Sequence, residues 1–545
     1  MKGLLKDLAS QISGEVTASE TAREYFSTDG SIFTIKPEFV IYPRDEMDVV
    51  NSVKFLNWQA QEGKVVGLTA RGKGTDQSGG ALGSGAILAF PAHMKALVDI
   101  QKNSVTVQPG MPYATLQTVL HSHLHYLPPY PASIDFSSIG GAVANNAAGE
   151  KSVKYGTTRH WVNGLRVVLS NGDVVSTYRL SKKELKKKKQ QPDFEGHLYR
   201  ELDKIISDNW EEILTTRPKV SKNSAGYDIW DVKGKDGSFD LSQLIVGSQG
   251  TLGIVTEATF RTAPYNPDLM LMAGYFDSIH KASEAVQHLL KLDPSALEVV
   301  DKNLLEFLKK NKPESLKGLV SEENIPEIVL LCELDDIKPG TRKRKGKQAM
   351  KILEHYAAST RVAVDKHQQD DLWRIRRGAA AVIWKVDGPK KALPIIEDGI
   401  VPSEKLTEFL KDAYELFEKE KINVAVWGHA GNGHFHIQPF MDLKNLRDRA
   451  RVFDLSDKFY ALIKKYGGSN SGEHNDGIMR GVYLKEMFGE KIYKIFEEIK
   501  DLFDPLHFLN PGVKIDVTRE DAMVKMRKEY SMKHLDDHMP GSYNH

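Results

Sequence analysis

The chain has a single cysteine among its 545 residues, Cys332, which stands in the apolar run IVLLCEL. One cysteine excludes an internal disulfide and any iron–sulfur cluster held by four cysteines of this chain. A run of about 18–20 apolar residues is also lacking, so the sequence predicts no membrane-spanning helix. Asp7 and Glu15 interrupt the first segment, which therefore does not read as a signal peptide. We expect a cytoplasmic protein, either soluble or peripheral at the inner face of the membrane.

The sequence has no excess of charge of one sign. The 74 basic and 73 acidic residues give a formal net charge of +1, and the basic runs have no interleaved aromatic residues. Both features argue against a nucleic-acid partner. The basic runs at 182–189 and 342–347 fit solvated helix ends as well as a contact with an anionic membrane surface or a redox partner. The sequence leaves these alternatives open, and also the oligomeric state, for which a homodimer is one option.

The pattern of apolar residues predicts an α+β protein with more than one domain. Residues 1–36 read as a short amphipathic helix followed by an irregular arm. From residue 37 to about 265, short strands alternate with helices, and the chain is long enough for two or three buried cores. The pattern of predicted strands and helices changes near Asn266, and from there the strands fit an antiparallel sheet.

Three glycine-rich segments could hold a nucleotide. They are ARGKGTDQSGGALGSGA (70–86), PASIDFSSIGGAVANNAAGEKSVKYGTT (131–158) and VGSQGTLGIVTEATFR (246–261). Glycine lets backbone N–H groups approach a pyrophosphate closely, because no Cβ blocks the way. The first segment lacks the third glycine of a Rossmann fingerprint, which indicates a phosphate loop of another kind. Taken singly, each segment is also compatible with a tight connection or a closely packed helix.

Together, the three segments resemble the vanillyl-alcohol-oxidase-type (PCMH-type) FAD-binding oxidoreductases, which carry Arg-Gly-x-Gly-Thr, Ile-Gly-Gly-x-x-x-Asn-Asn-Ala-x-Gly and Gly-Thr-Leu-Gly motifs in this order. The resemblance spans roughly residues 37–515. Some relatives attach FAD covalently through a histidine in the first loop. No histidine lies between Arg71 and Gly85 here, so we expect FAD to be bound non-covalently. Gln249 stands where many relatives have glutamate. The resemblance implies FAD contacts from Arg71, Gly72, Lys73, Gly74, Thr75, Asp76, Gln77, Ser78, Pro131, Ser133, Ser138, Gly140, Gly141, Asn145, Asn146, Gly149, Tyr155, Gly156, Gly250, Thr251, Gly253, Ile254 and Asn510.

The same resemblance implies a domain plan. We expect an α+β fold in which residues 37–265 form a two-subdomain FAD-binding domain. Residues 266–500 would form a substrate or cap domain with an antiparallel sheet, carrying the metal and catalytic motifs. Residues 501–515 would return to the FAD-binding domain. Residues 1–36 would be an N-terminal arm, and residues 516–545 a charged tail.

The last third of the chain contains the histidine-rich motifs WGHAGNGHFHIQP (427–439) and SGEHNDG (471–477). His434 and His436 fall on one face of a strand because strand side chains alternate, and the glycines at 428–433 let His429 fold back. Imidazole nitrogens joined by a carboxylate such as Glu473 suit a divalent ion with an open position. From the residues alone, polar surface histidines are an equal alternative.

These motifs resemble those of the D-lactate, glycolate and D-2-hydroxyglutarate dehydrogenase branch. The resemblance implies that His429, His436 and Glu473 bind a divalent metal such as Zn, Mn or Fe, and that His474 is the catalytic base. His434 occupies a place that asparagine often holds in relatives.

The resemblance also implies how a substrate carboxylate is bound. The relevant arginine of the family corresponds to Arg376, which leaves Arg374 and Arg377 as helix-surface charges. The pair Glu397–Asp398 matches a motif for which we expect a structural role. Ile396 stands near the place of a lysine in the D-2-hydroxyglutarate branch, and this difference argues against a dicarboxylate substrate.

These expectations combine into a reaction. The chain would be an FAD-dependent dehydrogenase that oxidises a small, D-lactate-like D-2-hydroxy acid by hydride transfer to flavin N5, with a metal and a histidine base. One alternative is a flavin-bearing subunit of a larger electron-transfer complex. Another is a non-redox enzyme similar to alkyl-dihydroxyacetone-phosphate synthase. The electron acceptor, whether quinone, cytochrome or iron–sulfur protein, is left open.

Overall fold

The structure, a computed structural model, describes residues 2–320, 324–382 and 388–532. Of the predicted charged tail, residues 533–545 lie outside the described residues. Across the described ranges, no helix combines the length and the apolar character that crossing a bilayer requires.

The strands, in chain order, are β1 (Glu15–Thr17), β2 (Phe39–Tyr42), β3 (Leu68–Arg71), β4 (Ala86–Ala89), β5 (Leu97–Gln101), β6 (Ser104–Val107), β7 (His125–Tyr126), β8 (Val162–Val168), β9 (Val174–Thr177), β10 (Arg179–Leu180), β11 (Phe239–Asp240), β12 (Ile254–Arg261), β13 (Ala263–Pro264), β14 (Met270–Phe276), β15 (Ala296–Asp301), β16 (Ile328–Leu334), β17 (Ser359–Ala363), β18 (Lys391–Ala392), β19 (Val424–His429) and β20 (His434–Met441).

The α-helices are α1 (Lys2–Ala9), α2 (Glu20–Tyr25), α3 (Glu46–Gln61), α4 (Tyr113–Ser122), α5 (Ile139–Asn145), α6 (Ser152–Tyr155), α7 (Lys182–Lys189), α8 (Phe194–Asp208), α9 (Trp210–Thr216), α10 (Ser242–Ile245), α11 (Ile279–Leu290), α12 (Lys302–Asn311), α13 (Pro339–Tyr356), α14 (Lys366–Val382), α15 (Leu406–Glu420), α16 (Leu446–Lys465), α17 (Leu484–Phe488), α18 (Glu490–Phe503) and α19 (Arg519–Lys525).

Two sheets form the first half of the protein. In the four-stranded sheet, ordered β1-β2-β4-β3, the central strand β4 runs parallel to β2 and β3. The five-stranded sheet, ordered β5-β6-β12-β8-β9, is antiparallel. Helix α3 begins after Asp45, whose side chain accepts the N–H of Asp48 and so caps the helix. Its apolar face at Val49, Val53 and Leu56 packs with the four-stranded sheet, where each fully buried side chain contributes about 1.5–3 kcal/mol.

The C-terminal half is built on a seven-stranded sheet, ordered β17-β14-β16-β15-β19-β20-β18, in which every pair is antiparallel. Strand β16 is buried along its whole length. Its alternate residues join two different apolar clusters, one with α11 and α13 and the other with α12 and α14. Helices therefore cover both faces of this sheet, and Cys332 is a packed strand residue. The predicted α+β class and the antiparallel cap sheet are confirmed.

Helices α17 and α18 lie elsewhere than the domain plan places them. That plan assigns residues up to 500 to the cap. In the structure, Leu484, Ile492, Phe496 and Ile499 share a buried cluster with the five-stranded sheet and with α8. The chain therefore returns to the first half near residue 484. An amphipathic helix carries an apolar face, but its sequence does not state which surface receives it.

The predicted arm and the first part of the predicted tail pack together as one unit. The N–H of Thr34 donates to Lys525 O (2.9 Å), and the N–H of Arg527 donates to Ile32 O (2.8 Å). The Tyr530 hydroxyl donates to Gly30 O (2.9 Å). Residues 525–530 are thus held against the arm by two main-chain hydrogen bonds and by the Tyr530 hydroxyl.

The two basic runs lie on helices at the surface. In α7, Lys188 pairs with Glu195 and Lys189 pairs with Asp203. In α13, Lys345 pairs with Asp336. These pairs neutralise part of each run. Contact with a membrane or a redox partner stays a prediction.

Candidate active site

A cavity of about 770 Å³ lies between the glycine-rich segments and the cap sheet. From the histidine-rich motifs, His436, Glu473 and His474 reach its wall. The predicted cofactor residues that line it are Arg71, Gly72, Lys73, Gly74, Thr75, Asp76, Gln77, Pro131, Ser133, Ser138, Gly140, Gly141, Asn145, Tyr155, Gly250 and Gly253. The structure thus brings all three glycine-rich segments and both histidine-rich motifs to one cavity.

The remaining predicted cofactor residues stand behind this wall and support it. The Thr251 hydroxyl is hydrogen-bonded to the Tyr227 hydroxyl (2.7 Å), and Asn146 Oδ1 accepts the N–H of Arg159 (3.0 Å). These contacts fix the backbone of the segments without reaching the cavity. The residues in this supporting position are Ser78, Asn146, Gly149, Gly156, Thr251, Ile254 and Asn510.

The first two glycine-rich segments touch each other. A Cβ on Gly72 would lie 2.1 Å from the Ser138 hydroxyl, so only glycine allows this approach. The hydroxyls of Ser137 and Ser138 are buried and have no hydrogen-bond partner among the described residues. Buried hydroxyls without partners, beside glycines and at a large cavity, fit a ligand that offers acceptor oxygens, such as a pyrophosphate. The segments therefore fit the dinucleotide that the sequence predicts.

Gln249 connects the three segments with the second histidine-rich motif. Its Nε2 donates to Asn145 Oδ1 (3.1 Å) and to Asp76 Oδ2 (3.3 Å). Its Oε1 accepts the N–H of Gly477 (2.9 Å). An amide both donates and accepts, which these contacts require, whereas an ionised glutamate at this position only accepts.

The second histidine-rich motif is also bonded directly to the glycine-rich segments. The Asn475 side chain donates to Gly247 O (2.9 Å) and to Asn145 O (3.1 Å). The carbonyl of Ser78 accepts the N–H groups of Ile478 (2.8 Å) and Met479 (3.0 Å). Residues 475–479 thus share one hydrogen-bonded frame with the predicted flavin loops.

Asn510 connects the same hydrogen-bonded frame to the return segment. Its replacement should destabilise the loops that line the cavity. Its Nδ2 donates to Gly80 O (2.8 Å) and Gln249 O (2.7 Å), and its Oδ1 accepts the Thr69 hydroxyl (2.9 Å). We expect Asn510→Ala to lower the free energy of unfolding by about 2–4 kcal/mol, because three buried groups lose a hydrogen-bond partner. The measurement is the temperature at which the protein releases its flavin on heating, read from the rise in flavin fluorescence.

Asn57→Ala is the matched control for this prediction, because the Asn57 side chain donates a single half-buried bond to Ser170 O (3.0 Å). An Asn510→Ala protein that releases its flavin at the control's temperature would contradict the supporting role.

Strands β19 and β20 present three imidazoles on one face. Gly433 turns the hairpin with a φ of +69°, and a Cβ there would lie 2.2 Å from Val401 O. His429 pairs with His434, and Trp427 pairs with His436. Cross-strand partners share a face, and residues two apart on a strand share a face as well. All three histidines therefore project to the same side, as the sequence predicts.

The inner atoms of this group form a triangle. Nε2 of His429 lies 3.2 Å from Glu473 Oε1 and 3.4 Å from His436 Nε2, and the third edge, from His436 Nε2 to Glu473 Oε1, is 3.4 Å. Nδ1 of His429 donates to Glu298 Oε1 (2.7 Å), and Nδ1 of His436 donates to Glu397 O (3.0 Å). Both Nε2 atoms are then acceptors, since a neutral imidazole has one N–H. Three converging lone pairs at this spacing fit a divalent ion bound at about 2.0–2.2 Å.

Lys222 occupies the other side of Glu473. Its Nζ is fully buried and donates to Glu473 Oε2 (2.5 Å) and to the Ser152 hydroxyl (3.1 Å). Burial acts to raise the pKa of Glu473, but the neighbouring charge of Lys222 opposes it, and this pKa is held well below its usual range. The ion pair engages Oε2 and leaves Oε1 for the imidazoles. Sequence reasoning missed Lys222.

His434 lies beside the triangle, and its Nδ1, which has no hydrogen-bond partner among the described residues, is a further possible ligand atom. Its Nε2 donates to Asp398 Oδ1 (2.9 Å), while its Nδ1 lies 3.8 Å from Glu473 Oε2. Burial, assisted by the charge of Lys222, lowers the pKa of His434 to about 3, so the ring is neutral. Asp398 also accepts the N–H of His474 (2.8 Å) and thereby fixes the loop of the second motif. This is the structural role expected for Asp398.

His474, the predicted base, is the partly exposed member of the group, with 23% of its side chain accessible. Its Nδ1 donates to Glu397 Oε2, and its Nε2 lies 3.5 Å from Glu473 Oε1. Burial opposes protonation, but the carboxylates of Glu397 and Asp398 raise the pKa of His474 to about 9. Glu397 is fixed in turn by Arg480 (2.8 Å). The arrangement stabilises the imidazolium, which is the form the ring takes after accepting a proton.

The arginines of α14 differ in their surroundings. Arg376 is buried, its Nε donates to Glu298 Oε2 (2.9 Å), and its two Nη atoms have no hydrogen-bond partner among the described residues. It therefore supports His429 through Glu298. Arg374 pairs with Asp371 (2.8 Å) and is a surface charge, as predicted.

Arg377 is exposed on α14, with 48% of its side chain accessible, as expected of a helix-surface charge. It also reaches the cavity, donates to both oxygens of Glu150 (2.8 and 2.7 Å), and lies 4.7 Å from the Trp373 ring centroid. Glu150 is a buried carboxylate, which requires such a cationic partner.

Two family matches together cover most of this architecture. Residues 37–178 match the family described as FAD binding domain, and residues 269–513 match the family described as FAD linked oxidases, C-terminal domain. The first contains the first two glycine-rich segments, and the second contains both histidine-rich motifs.

Curated relatives align along nearly the whole chain. A D-2-hydroxyglutarate dehydrogenase of Pseudomonas putida is 27% identical over 92% of this chain and 50% of its own length. A glycolate oxidase subunit GlcD of Bacillus subtilis is 27% identical over 93% of this chain and 96% of its length. A D-lactate dehydrogenase of Archaeoglobus fulgidus is 28% identical, covering 87% and 90%. The chain spans about half the length of the D-2-hydroxyglutarate dehydrogenases it matches.

Solved structures share the fold. A 4-ethylphenol oxidase from Gulosibacter chungangensis superposes with a TM-score of 0.69 at 16% identity, covering 95% of this chain and 98% of that one. An alkyldihydroxyacetonephosphate synthase superposes with a TM-score of 0.63 at 15% identity, covering 94% and 84%. At these identities the likeness concerns the fold alone. The two family matches show that the chain is an FAD-binding oxidoreductase and belongs to the FAD-linked oxidases.

Proposed function

We propose that this oxidoreductase is an FAD-dependent dehydrogenase that oxidises a D-2-hydroxy acid to the 2-oxo acid with help from a divalent metal. One observation carries the proposal: the triangle of His429, His436 and Glu473, with His474 beside it, lies at the cavity lined by the glycine-rich segments. A 2-hydroxy acid offers a hydroxyl and a carboxylate oxygen to one cation. The names of the relatives, D-2-hydroxyglutarate dehydrogenase, D-lactate dehydrogenase and glycolate oxidase subunit, agree with this substrate class.

In this proposal, His429, His436 and Glu473 hold the metal, and the glycine-rich segments hold non-covalent FAD. The metal supplies Lewis acidity to the substrate hydroxyl, and the flavin supplies a two-electron acceptor. The protein keeps Nε2 of both histidines unprotonated, because Glu298 and the Glu397 carbonyl accept hydrogen bonds from their Nδ1–H groups.

His474 accepts the hydroxyl proton at Nε2. Glu397 fixes the ring through Nδ1 and stabilises the charge that the proton brings. A divalent cation in the triangle would oppose protonation of the free ring, which leaves Nε2 ready to act as the base.

Arg376 binds the substrate carboxylate. Its Nε is engaged by Glu298, while its two Nη atoms are buried behind the residues that line the cavity and have no hydrogen-bond partner among the described residues. A planar guanidinium can donate two parallel hydrogen bonds to a carboxylate, which orients the C2 hydrogen.

Replacing Glu298 by Gln should weaken metal binding without removing a ligand. Glu298 accepts hydrogen bonds from Nδ1 of His429 and from Nε of Arg376. Loss of such an outer partner typically lowers metal affinity about 10–100-fold. The measurement is a titration of metal-free protein in metal-buffered solution. Glu284→Gln, on the exposed side of α11, is the control and should bind metal like the unmodified protein. Equal affinities in both variants would contradict the supporting role.

The proposed function is tested by anaerobic mixing of the purified flavoprotein with a panel of D- and L-2-hydroxy acids. We expect the oxidised flavin absorbance to bleach with D-2-hydroxy acids and not with their L enantiomers. A flavin that no 2-hydroxy acid reduces would refute the proposal.

The second candidate, a flavin-bearing subunit of a larger electron-transfer complex, is favoured by two observations. The glycolate oxidase subunit GlcD matches this chain over 96% of its length, and the D-2-hydroxyglutarate dehydrogenases are about twice as long. With a single cysteine, these 545 residues cannot by themselves hold a four-cysteine iron–sulfur cluster. A purified chain that reduces artificial acceptors unaided supports a self-sufficient dehydrogenase, whereas co-purification of an iron–sulfur protein supports the subunit.

A non-redox synthase similar to alkyldihydroxyacetonephosphate synthase shares the fold. Its substrate phosphate would call for cations at the cavity that have no protein partner. Arg377 and Lys151 are both paired with carboxylates. Substrate-dependent bleaching of the flavin separates this alternative from a dehydrogenase.

A further inference from the structure

The cavity wall beside the imidazoles is apolar. Trp427 lies opposite His436 in the hairpin, with ring centroids 5.7 Å apart. Trp427, Trp373 and Ala392 all line the cavity and belong to one buried cluster. Because cross-strand neighbours share a face, Trp427 stands on the side to which the histidines project. A substituent on a substrate held at the imidazoles, if it extends along this wall, meets aromatic and methyl surface.

The cations near this wall already have carboxylate partners. Arg377 donates to both oxygens of Glu150, and Lys151 donates to Glu333. Both carboxylates are buried and line the cavity, as does Asp335. Taking the cation away from a buried carboxylate is costly, since it leaves an uncompensated charge. A second carboxylate on the substrate would therefore have to displace Glu150 or Glu333, and it would lie among three acidic side chains.

The other described cations of the cavity are engaged elsewhere. Arg71 donates to Thr28 O (2.7 Å) and Ala81 O (3.2 Å), and Lys73 belongs to the first glycine-rich segment, which we assign to the flavin. Lys366, whose side chain is 74% exposed, pairs with Asp370. Arg376 does not line the cavity, and the proposed function assigns it to the C1 carboxylate. Within the described residues, no cation beside the tryptophans is left for a second anionic group.

We infer that the substrate is a D-2-hydroxy monocarboxylate whose C2 substituent is uncharged and apolar, aliphatic or aromatic. Trp373, Trp427 and the Glu150–Arg377 pair select it. The inference rests on the proposed function, because it uses Arg376 for the C1 carboxylate. An apolar substituent loses contact with water at the aromatic wall, which is favourable. A carboxylate in the same place meets like charges and must take a cation from a buried carboxylate.

The test compares D-2-hydroxy-4-methylpentanoate and D-3-phenyllactate with D-2-hydroxyglutarate. The purified holoenzyme is mixed anaerobically with each, and the second-order rate constant of flavin reduction is measured. We expect at least one apolar acid to exceed D-2-hydroxyglutarate by about 100-fold or more, the scale of a like-charge penalty. A second readout is the dissociation constant of the products 4-methyl-2-oxopentanoate and 2-oxoglutarate, from their perturbation of the flavin spectrum. The first should bind more tightly.

Glu150→Gln probes the selection directly. It keeps the shape of the side chain, removes one cavity carboxylate and makes Arg377 available. We expect the preference for the apolar acid over D-2-hydroxyglutarate to fall about tenfold or more. Glu195→Gln removes a carboxylate from an ion pair with Lys188 outside the cavity, and it should leave the preference unchanged.

The outcomes separate the two proposals. If D-2-hydroxyglutarate reduces the flavin at least as fast as both apolar acids, the inference is overturned while the dehydrogenase stands. Equal binding of the two 2-oxo acids overturns it as well, even where turnover is slow. If no 2-hydroxy acid reduces the flavin, the dehydrogenase is refuted and the inference with it.

Discussion

Replacing His474 by Ala should leave the flavin bound and slow its reduction by substrate about 10²–10⁴-fold, the usual contribution of a positioned base. Nε2 of His474 lies 3.5 Å from Glu473 Oε1, and no other partly exposed imidazole belongs to this group among the described residues. The frame around it should survive, because Asp398 is held by His434 and Glu397 by Arg480.

The measurement is anaerobic stopped-flow reduction of the flavin, with flavin content read from the visible absorbance of the same sample. His280→Ala is the control, since this side chain is 66% exposed on α11 and touches no residue of the cavity wall described above. Turnover close to the unmodified rate in a His474→Ala protein that retains its flavin would show that another group takes the proton.

Replacing His436 by Ala should remove the metal and, with it, most of the activity. One corner of the triangle disappears, and the remaining pair, His429 and Glu473, offers two ligand atoms at 3.2 Å. Lewis-acid stabilisation contributes several kcal/mol, and each 1.36 kcal/mol is a factor of ten in rate. We therefore expect a decrease in the rate of about 10²–10³-fold.

Metal content is measured by mass spectrometry of the purified protein, together with flavin content and rate. Chelation of the unmodified protein should reproduce the loss, and addition of divalent metal should restore activity there but not in the variant. Full turnover after complete removal of metal would mean that the triangle is not a catalytic metal site.

The sequence predicted the parts of the site that short motifs carry. The glycine-rich segments and the histidine-rich motifs are local patterns, because their function requires glycine where the backbone approaches a ligand and alternation along a strand. The α+β class and the strand at 328–334 follow from apolar periodicity in the same way. These features depend on neighbours in sequence, so a single chain is enough to read them.

Lys222 and Glu298 were missed because their roles depend on partners far away in sequence. Lys222 meets Glu473 across 251 positions, and nothing in the surrounding polar loop distinguishes it from a solvated lysine. Glu298 did leave a signal. It stands inside the apolar strand β15, and a carboxylate at such a position must find a buried partner. The pairing of Arg377 with Glu150 was missed for the same reason, since the two residues lie 227 positions apart.

The hydrogen bonds of Gln249 and Asn475 have a thermodynamic consequence. They join the loops that face the flavin to the chain that carries Glu473 and His474. A ligand that orders one end of this frame lowers the entropic cost of ordering the other end. Binding of the dinucleotide and binding of the metal ion should therefore show positive cooperativity. Linkage is reciprocal, so each would raise the affinity for the other by the same factor. A preparation stripped of its yellow colour would then give up its ion more readily as well.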